Sequence, residues 1–126
     1  IEQELKKNTN DIIKFNFTPH LSPMFRGILS TLYVDINKNI NQDKMLKVLK
    51  NFYKKKQFVK IMGKNKFLST NDVINSNFCK ISICKTKYKN KIIIISVIDN
   101  LIKGGAGQAI QNMNKKFNFK DYKGLS

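Results

Sequence analysis

The chain has 126 residues, enough for one domain with a real core, and its 41% hydrophobic content is ordinary for a soluble globular protein. No apolar run approaches the roughly 20 residues of a membrane span, and no signal peptide is expected from the opening residues. The net charge of +16 points toward nucleic acid. That charge is scattered, however. The accompanying wealth of Asn and Ile is what an AT-rich coding sequence produces without any binding role, and the aromatics lie at core spacing instead of forming a stacking platform. Neither a nucleic acid nor a membrane is therefore expected as a partner.

In chain order, residues 1–5 (IEQEL) read as the end of a helix. Residues 14–21 alternate Phe15, Phe17 and Pro19 against polar neighbours, which predicts a strand ending near Pro19. His20, the only histidine, closes it. Residues 27–36 (GILSTLYVDI) predict a second strand. Between them stands Arg26, the one arginine among 24 basic residues. A chain that otherwise uses lysine keeps a guanidinium where a flat, two-pronged donor is needed. Its target is either a trigonal anion or a neighbouring carboxylate that pins the loop.

Residues 41–52 place Met45, Val48, Leu49 and Phe52 at helical spacing behind Asn41, a capping residue, and predict an amphipathic helix over a sheet. Residues 58–62 (FVKIM) predict a short strand. Cys79 and Cys84 fall five apart in the next strand, so they point to opposite faces and should not pair. Both read as buried strand cysteines, and a reduced, cytosolic-type compartment follows. After the basic turn at 85–90, residues 92–98 (IIIISVI) predict a strand buried on both faces. Asp99 and Asn100 then offer capping oxygens. Ile102, Ala106, Ala109, Ile110, Met113 and Phe117 fall along one face of a closing helix. The first turns of that helix hold Gly104, Gly105 and Gly107, each costing roughly 1 kcal/mol relative to alanine. Such a cluster belongs where another backbone or a flat ligand comes close.

Several of these stretches share a resemblance. DNLIKGGAGQAIQNMN (99–114) resembles the C-terminal signature of the N-acetyl-γ-glutamyl-phosphate reductase family, within the wider group of semialdehyde and glyceraldehyde-phosphate dehydrogenases. FTPHLSPMFRGILSTLYV (17–34) is similar to a second family segment. Val73, Ser76, Asn77, Cys79 and Ile81 match a third, in which the family's glycine is replaced by Asn75, a tolerable change if that position is left-handed. The closing Gly124-Leu125 matches the family's tail.

The resemblance implies an α+β domain, a two-layer mixed and largely antiparallel sheet with helices on one face, as in the C-terminal domain of glyceraldehyde-3-phosphate dehydrogenase. It implies NADP-dependent reduction of an acyl phosphate to an aldehyde through a cysteine thioester, in arginine biosynthesis, with nucleophile and histidine base upstream of this chain and no catalytic residue within it. Residues 1–126 would form a single dimerisation domain, with 100–126 packing back on an N-terminal NADP-binding domain of the same enzyme. A homo-oligomer, dimer or tetramer, is implied as well. Arg26 and His20 become substrate-side candidates, although His20 also reads as a hydrogen-bonded residue at a strand end. Asn100, Lys103, Gly104 and Gly105 become cofactor-side candidates, and no metal site is expected. An aspartate-semialdehyde dehydrogenase domain and a non-catalytic dimerisation module are the alternatives.

Overall fold

The computed structural model describes residues 1–9 and 11–125. Four strands form one sheet in the order β1-β4-β3-β2: β1 Ile28–Asp35, β2 Val59–Lys64, β3 Cys79–Lys85 and β4 Lys91–Ile98. β4 pairs antiparallel with β1 on one side and β3 on the other, while β2 runs parallel to β3. Three α-helices accompany the sheet: α1 Glu2–Lys6, α2 Gln42–Tyr53 and α3 Gly107–Lys116. The result is the expected two-layer mixed α+β fold. The Ile-rich stretch forms a strand hydrogen-bonded on both edges, as its β-branched side chains favour, but it is not buried on both faces as expected. Its neighbours Ile81, Ile83 and Cys84, with Ile92, Val97, Phe58 and Val73, make the buried apolar core.

α2 starts where its cap predicts: Asn41 Oδ1 accepts from the Lys44 N–H at 2.9 Å. The helix packs on β2 and β3, but not by the expected stripe. Gln42 is buried and Met45, Leu46, Leu49 and Tyr53 are half-buried, whereas Val48 and Phe52 stay 60% and 71% exposed. The cause lies at the helix start. Gln42 Nε2 donates to the Ile83 carbonyl at 2.7 Å and to Asn65 Oδ1 at 3.1 Å, and that anchor sets which side of the helix faces the sheet.

The strand expected at residues 14–21 does not form. These residues run as an irregular strap with no place in the four-stranded sheet, and the apolar side chains that mimicked strand alternation, Phe15 and Phe17 among them, stay exposed. β1 is also bare. As an edge strand it leaves Leu29 and Tyr33 exposed on one face and Ile28 and Leu32 on the other. For this reason β4 is central in position yet only half-buried between Ile92 and Val97. No helix among the described residues is long and apolar enough to cross a membrane.

If Gln42 sets the buried side of α2, Leu49→Ala will cost about 1–2 kcal/mol, less than a fully buried leucine. Val48→Lys, despite belonging to the apolar stripe, will stay within about 0.5 kcal/mol of wild type. Urea denaturation of the two variants reads both values.

Candidate functional site

The end of β4 runs into the turn 99–101, and the turn is built on a buried charge. Asp99 is fully buried. Its Oδ1 accepts the N–H groups of Leu101 and Ile102, each at 2.9 Å, and its Oδ2 accepts the Asn75 N–H at 2.8 Å. Arg26 Nε lies 3.0 Å from Oδ1 and 2.8 Å from Oδ2. Burial alone would push the Asp99 pKa up. The N–H groups of Ile102 and Asn75, the Arg26 side chain and the Leu101 N–H outweigh it and hold the carboxyl below the usual carboxylate range. One carboxylate thus joins three stretches: the loop before β1, the loop before β3 and the turn after β4.

Arg26 therefore pins its loop to a carboxylate, and its Nη1 also donates to Asn75 Oδ1 at 3.2 Å. Asn75 sits at φ +60°, the left-handed conformation that makes asparagine an acceptable substitute for glycine there. Gly27 follows Arg26 at φ +116°, and a Cβ on it would stand 2.6 Å from Thr70 Cβ, so this position needs glycine twice over. Its N–H donates to Asn100 Oδ1 at 2.8 Å. Because a backbone N–H can only donate, the carboxamide oxygen is fixed toward Gly27 and the Asn100 NH2 faces away from that contact.

The closing helix differs from the expected single α-helix. Residues Ile102–Ala106 form a π-helical turn, with the Gly104 N–H donating to the Asp99 carbonyl and the Ala106 N–H to the Leu101 carbonyl, both at 2.9 Å. Such turns concentrate at functional sites. The backbone breaks at Gly105 (φ −143°, ψ −110°), and α3 begins at Gly107. Gly104 and Gly105 are exposed, and a Cβ on either would meet only ordinary contacts within this chain. The glycine that the interior requires is Gly107, whose Cβ would stand 2.3 Å from Asn77 Oδ1.

Lys103 turns inward. Its Nζ contacts Gln111 Oε1 at 2.5 Å and lies 5.9 Å from the centre of the Phe58 ring. Burial lowers its pKa, against the opposing influence of Cys79 and Asp121. The Cys79 thiol is itself pushed up by burial more than Lys103 draws it down, which makes it a poor nucleophile. Cys84 is buried as expected, Cys79 is only half-buried, and both cysteines are free thiols. α3 inverts its expected polarity as well. Gly107 and Asn114 are buried, while Ala106, Ala109, Met113 and Phe117 of the apolar stripe are exposed. Asn114 Nδ2 donates to the carbonyls of Asp121 and Lys123 and so folds the tail back on the helix; Ser126 lies outside the described residues.

The site thus brings together Arg26, Asn75, Asp99 and Asn100, with the π-turn carrying Gly104 and Gly105 beside them. His20 is exposed in the strap. The sequence reading gave Asp99 only a capping role and Asn75 only a conformational one, and it did not bring them together with Arg26 as one hub. The available signal was an acid one residue before Asn100 in a chain with a single arginine.

Residues 1–100 match the profile described as "Semialdehyde dehydrogenase, dimerisation domain". The chain belongs to this family. It is 44% identical, over 99% of its length, to an N-acetyl-gamma-glutamyl-phosphate reductase of Thermoanaerobacter sp., and 42% identical, over 99%, to one of Staphylococcus saprophyticus. A third, from Brachyspira hyodysenteriae, is 44% identical over 100% of the chain. In each case the chain spans 36% of the relative's length. As a semialdehyde dehydrogenase dimerisation domain, it carries the hub just described across the last matched residues, Asp99 and Asn100.

If the Asp99 charge holds three stretches of this domain together, Asp99→Asn will destabilise it by about 3–5 kcal/mol at neutral pH, because donors are left facing an amide NH2. The folded pKa is depressed, so the stabilisation is complete above the unfolded value of about 4 and is lost as pH falls below it toward the folded value. The gap between wild type and variant, measured by chemical denaturation, will accordingly narrow only below about pH 4.

Proposed function

We propose that this chain is the dimerisation and substrate-side domain of an NADP-dependent N-acetyl-γ-glutamyl-phosphate reductase, the arginine-biosynthetic enzyme that converts the acyl phosphate to the semialdehyde. Support comes from the full-length similarity to reductases of that name and, above all, from the turn at Asn100. Its Oδ1 is occupied by Gly27, which leaves the Nδ2 hydrogens as donors for a carboxamide oxygen. The exposed Gly104 and Gly105 beside it give a flat ring or a second backbone close access. These residues fit a nicotinamide, with Asn100 supplying a donor to its carboxamide.

When bound, the cofactor would supply the hydride. Asn100 would hold the carboxamide, and the backbone around Gly104 and Gly105 would admit the ring while excluding water. The second Nη of Arg26, beyond the groups committed to Asp99 and Asn75, is the donor for an anionic substrate group. Lys103 reaches cofactor phosphate only if it leaves Gln111, and His20 meets substrate only if the strap folds over the site. The thioester nucleophile and its base would come from outside these residues. The exposed stripe Ala106, Ala109, Met113 and Phe117 would dock on the cofactor domain, and the bare faces of β1 would pair with a second copy in a cytoplasmic homo-oligomer.

The test is kinetic. The enzyme containing this chain should reduce NADP with N-acetyl-glutamate semialdehyde only in the presence of phosphate. Asn100→Asp keeps an acceptor for the Gly27 N–H and replaces the donor with a negative charge, so it should raise the Michaelis constant for NADPH roughly 3- to 10-fold, with thermal denaturation checking that the variant is folded. Phosphate-independent turnover, or an unchanged constant in the variant, would overturn the reading.

A further inference from the structure

Behind the π-turn lies a polar cluster in which Lys103 stays on Gln111, and the function proposed above gives Gln111 and Asn77 no role. Gln111 Oε1 receives Asn77 Nδ2 at 2.9 Å and Lys103 Nζ at 2.5 Å. An ammonium can only donate, so the Gln111 atom it meets must be the oxygen. The Asn77 atom that meets the same oxygen must then be the NH2. This turns Asn77 Oδ1 away, and that oxygen is buried without a hydrogen-bond partner among the described residues. It faces Gly107, where a Cβ would stand only 2.3 Å away. One ammonium therefore sets the orientation of two amides, and the second amide abuts the residue at which the π-turn becomes α3.

The cluster also spans the elements that matter to Asn100. Asn77 precedes β3, Lys103 lies inside the π-turn, and Gln111 sits one turn into α3. An unpaired buried amide oxygen carries a real cost, roughly 1–3 kcal/mol. A helix start that needed only to pack could avoid that cost with an apolar side chain at 77. Here the cost accompanies a fixed meeting of three elements, and rigid support of a binding group is what such arrangements provide.

We infer that Gln111, together with Asn77, is a positioning residue for cofactor binding: it anchors the π-turn so that Asn100, Gly104 and Gly105 meet the nicotinamide in a single arrangement. This rests on the cofactor-side reading of Asn100. Gln111 touches no cofactor itself. Both of its contacts use the side-chain oxygen as acceptor, so Gln111→Glu keeps them, whereas Gln111→Met has similar length and no comparable acceptor.

The experiment measures the NADPH dissociation constant by fluorescence titration, the Michaelis constant for the acyl phosphate, and thermal stability, all in the enzyme containing this chain. Gln111→Met should weaken NADPH binding about fivefold or more and leave the acyl-phosphate constant within about twofold, while Gln111→Glu should bind NADPH within about twofold of wild type. Asn77→Ser withdraws the same contact from the other side with a smaller polar group. It should weaken NADPH binding in the same direction, and it serves as the test if Gln111→Met does not fold. Wild-type NADPH affinity in a folded Gln111→Met or Asn77→Ser variant overturns the inference, as does a Gln111→Glu variant as impaired as Gln111→Met. Asn100→Asp run alongside separates the two failures. If it weakens NADPH binding and the cluster variants do not, only the positioning role is lost; if it too binds normally, the cofactor-side reading falls and the positioning role with it.

Discussion

The buried carboxylate of Asp99 is the interaction on which the rest of this domain depends. A charge removed from water is tolerated only when its lone pairs are filled, and here three backbone N–H groups and a guanidinium fill them. Each donor comes with a constraint. Arg26 brings the loop before β1, Asn75 brings the loop before β3 in a left-handed conformation, and Leu101 and Ile102 start the π-turn. Asn100 is carried between them, and its own oxygen is fixed by Gly27 from the same Arg26 loop. The orientation of one carboxamide is thus set by a charge one residue away and a loop 73 residues distant in sequence.

The remaining architecture leaves several apolar surfaces that this chain does not itself cover. α3 turns Gly107 and Asn114 inward and its apolar stripe outward, β1 is uncovered on both faces, and the loop before β1 keeps Phe25 94% exposed. An isolated globular unit of this size rarely leaves so many large apolar side chains in water. Surfaces of this kind are to be expected where the chain spans 36% of the length of the reductases it matches.

How much could be read from the residues alone depended on whether a signal was local. Asn41 capped α2 as its position predicted, Asn75 took the left-handed conformation, and the Ile-rich run became the central strand, because each follows from a single side chain or a short run. The misreadings share one cause. Residues 14–21, the Val48–Phe52 edge of α2 and the Met113–Phe117 stripe of α3 all carry the periodicity of a buried face, but periodicity reports that a face is apolar, not that this chain covers it. Asp99 was read as a helix cap, and it does bind the N–H groups of Leu101 and Ile102. Its larger role needed Arg26 and Asn75, 73 and 24 residues away, which no local pattern brings together. Likewise Gly107 differs from Gly104 and Gly105 through Ile102 in the preceding turn and through Asn77, the latter a contact made across the fold.

Amide hydrogen exchange at Asn75, Leu101 and Ile102 tests the central claim most directly, since these are the backbone donors to the Asp99 carboxylate. If the carboxylate ties the three stretches into one unit, the three amides will be strongly protected and will share a single opening free energy, although two lie in a turn and one in a loop. Rapid exchange at Leu101 and Ile102, or protection there that is unrelated to that of Asn75, would show that the buried charge does not hold the site together.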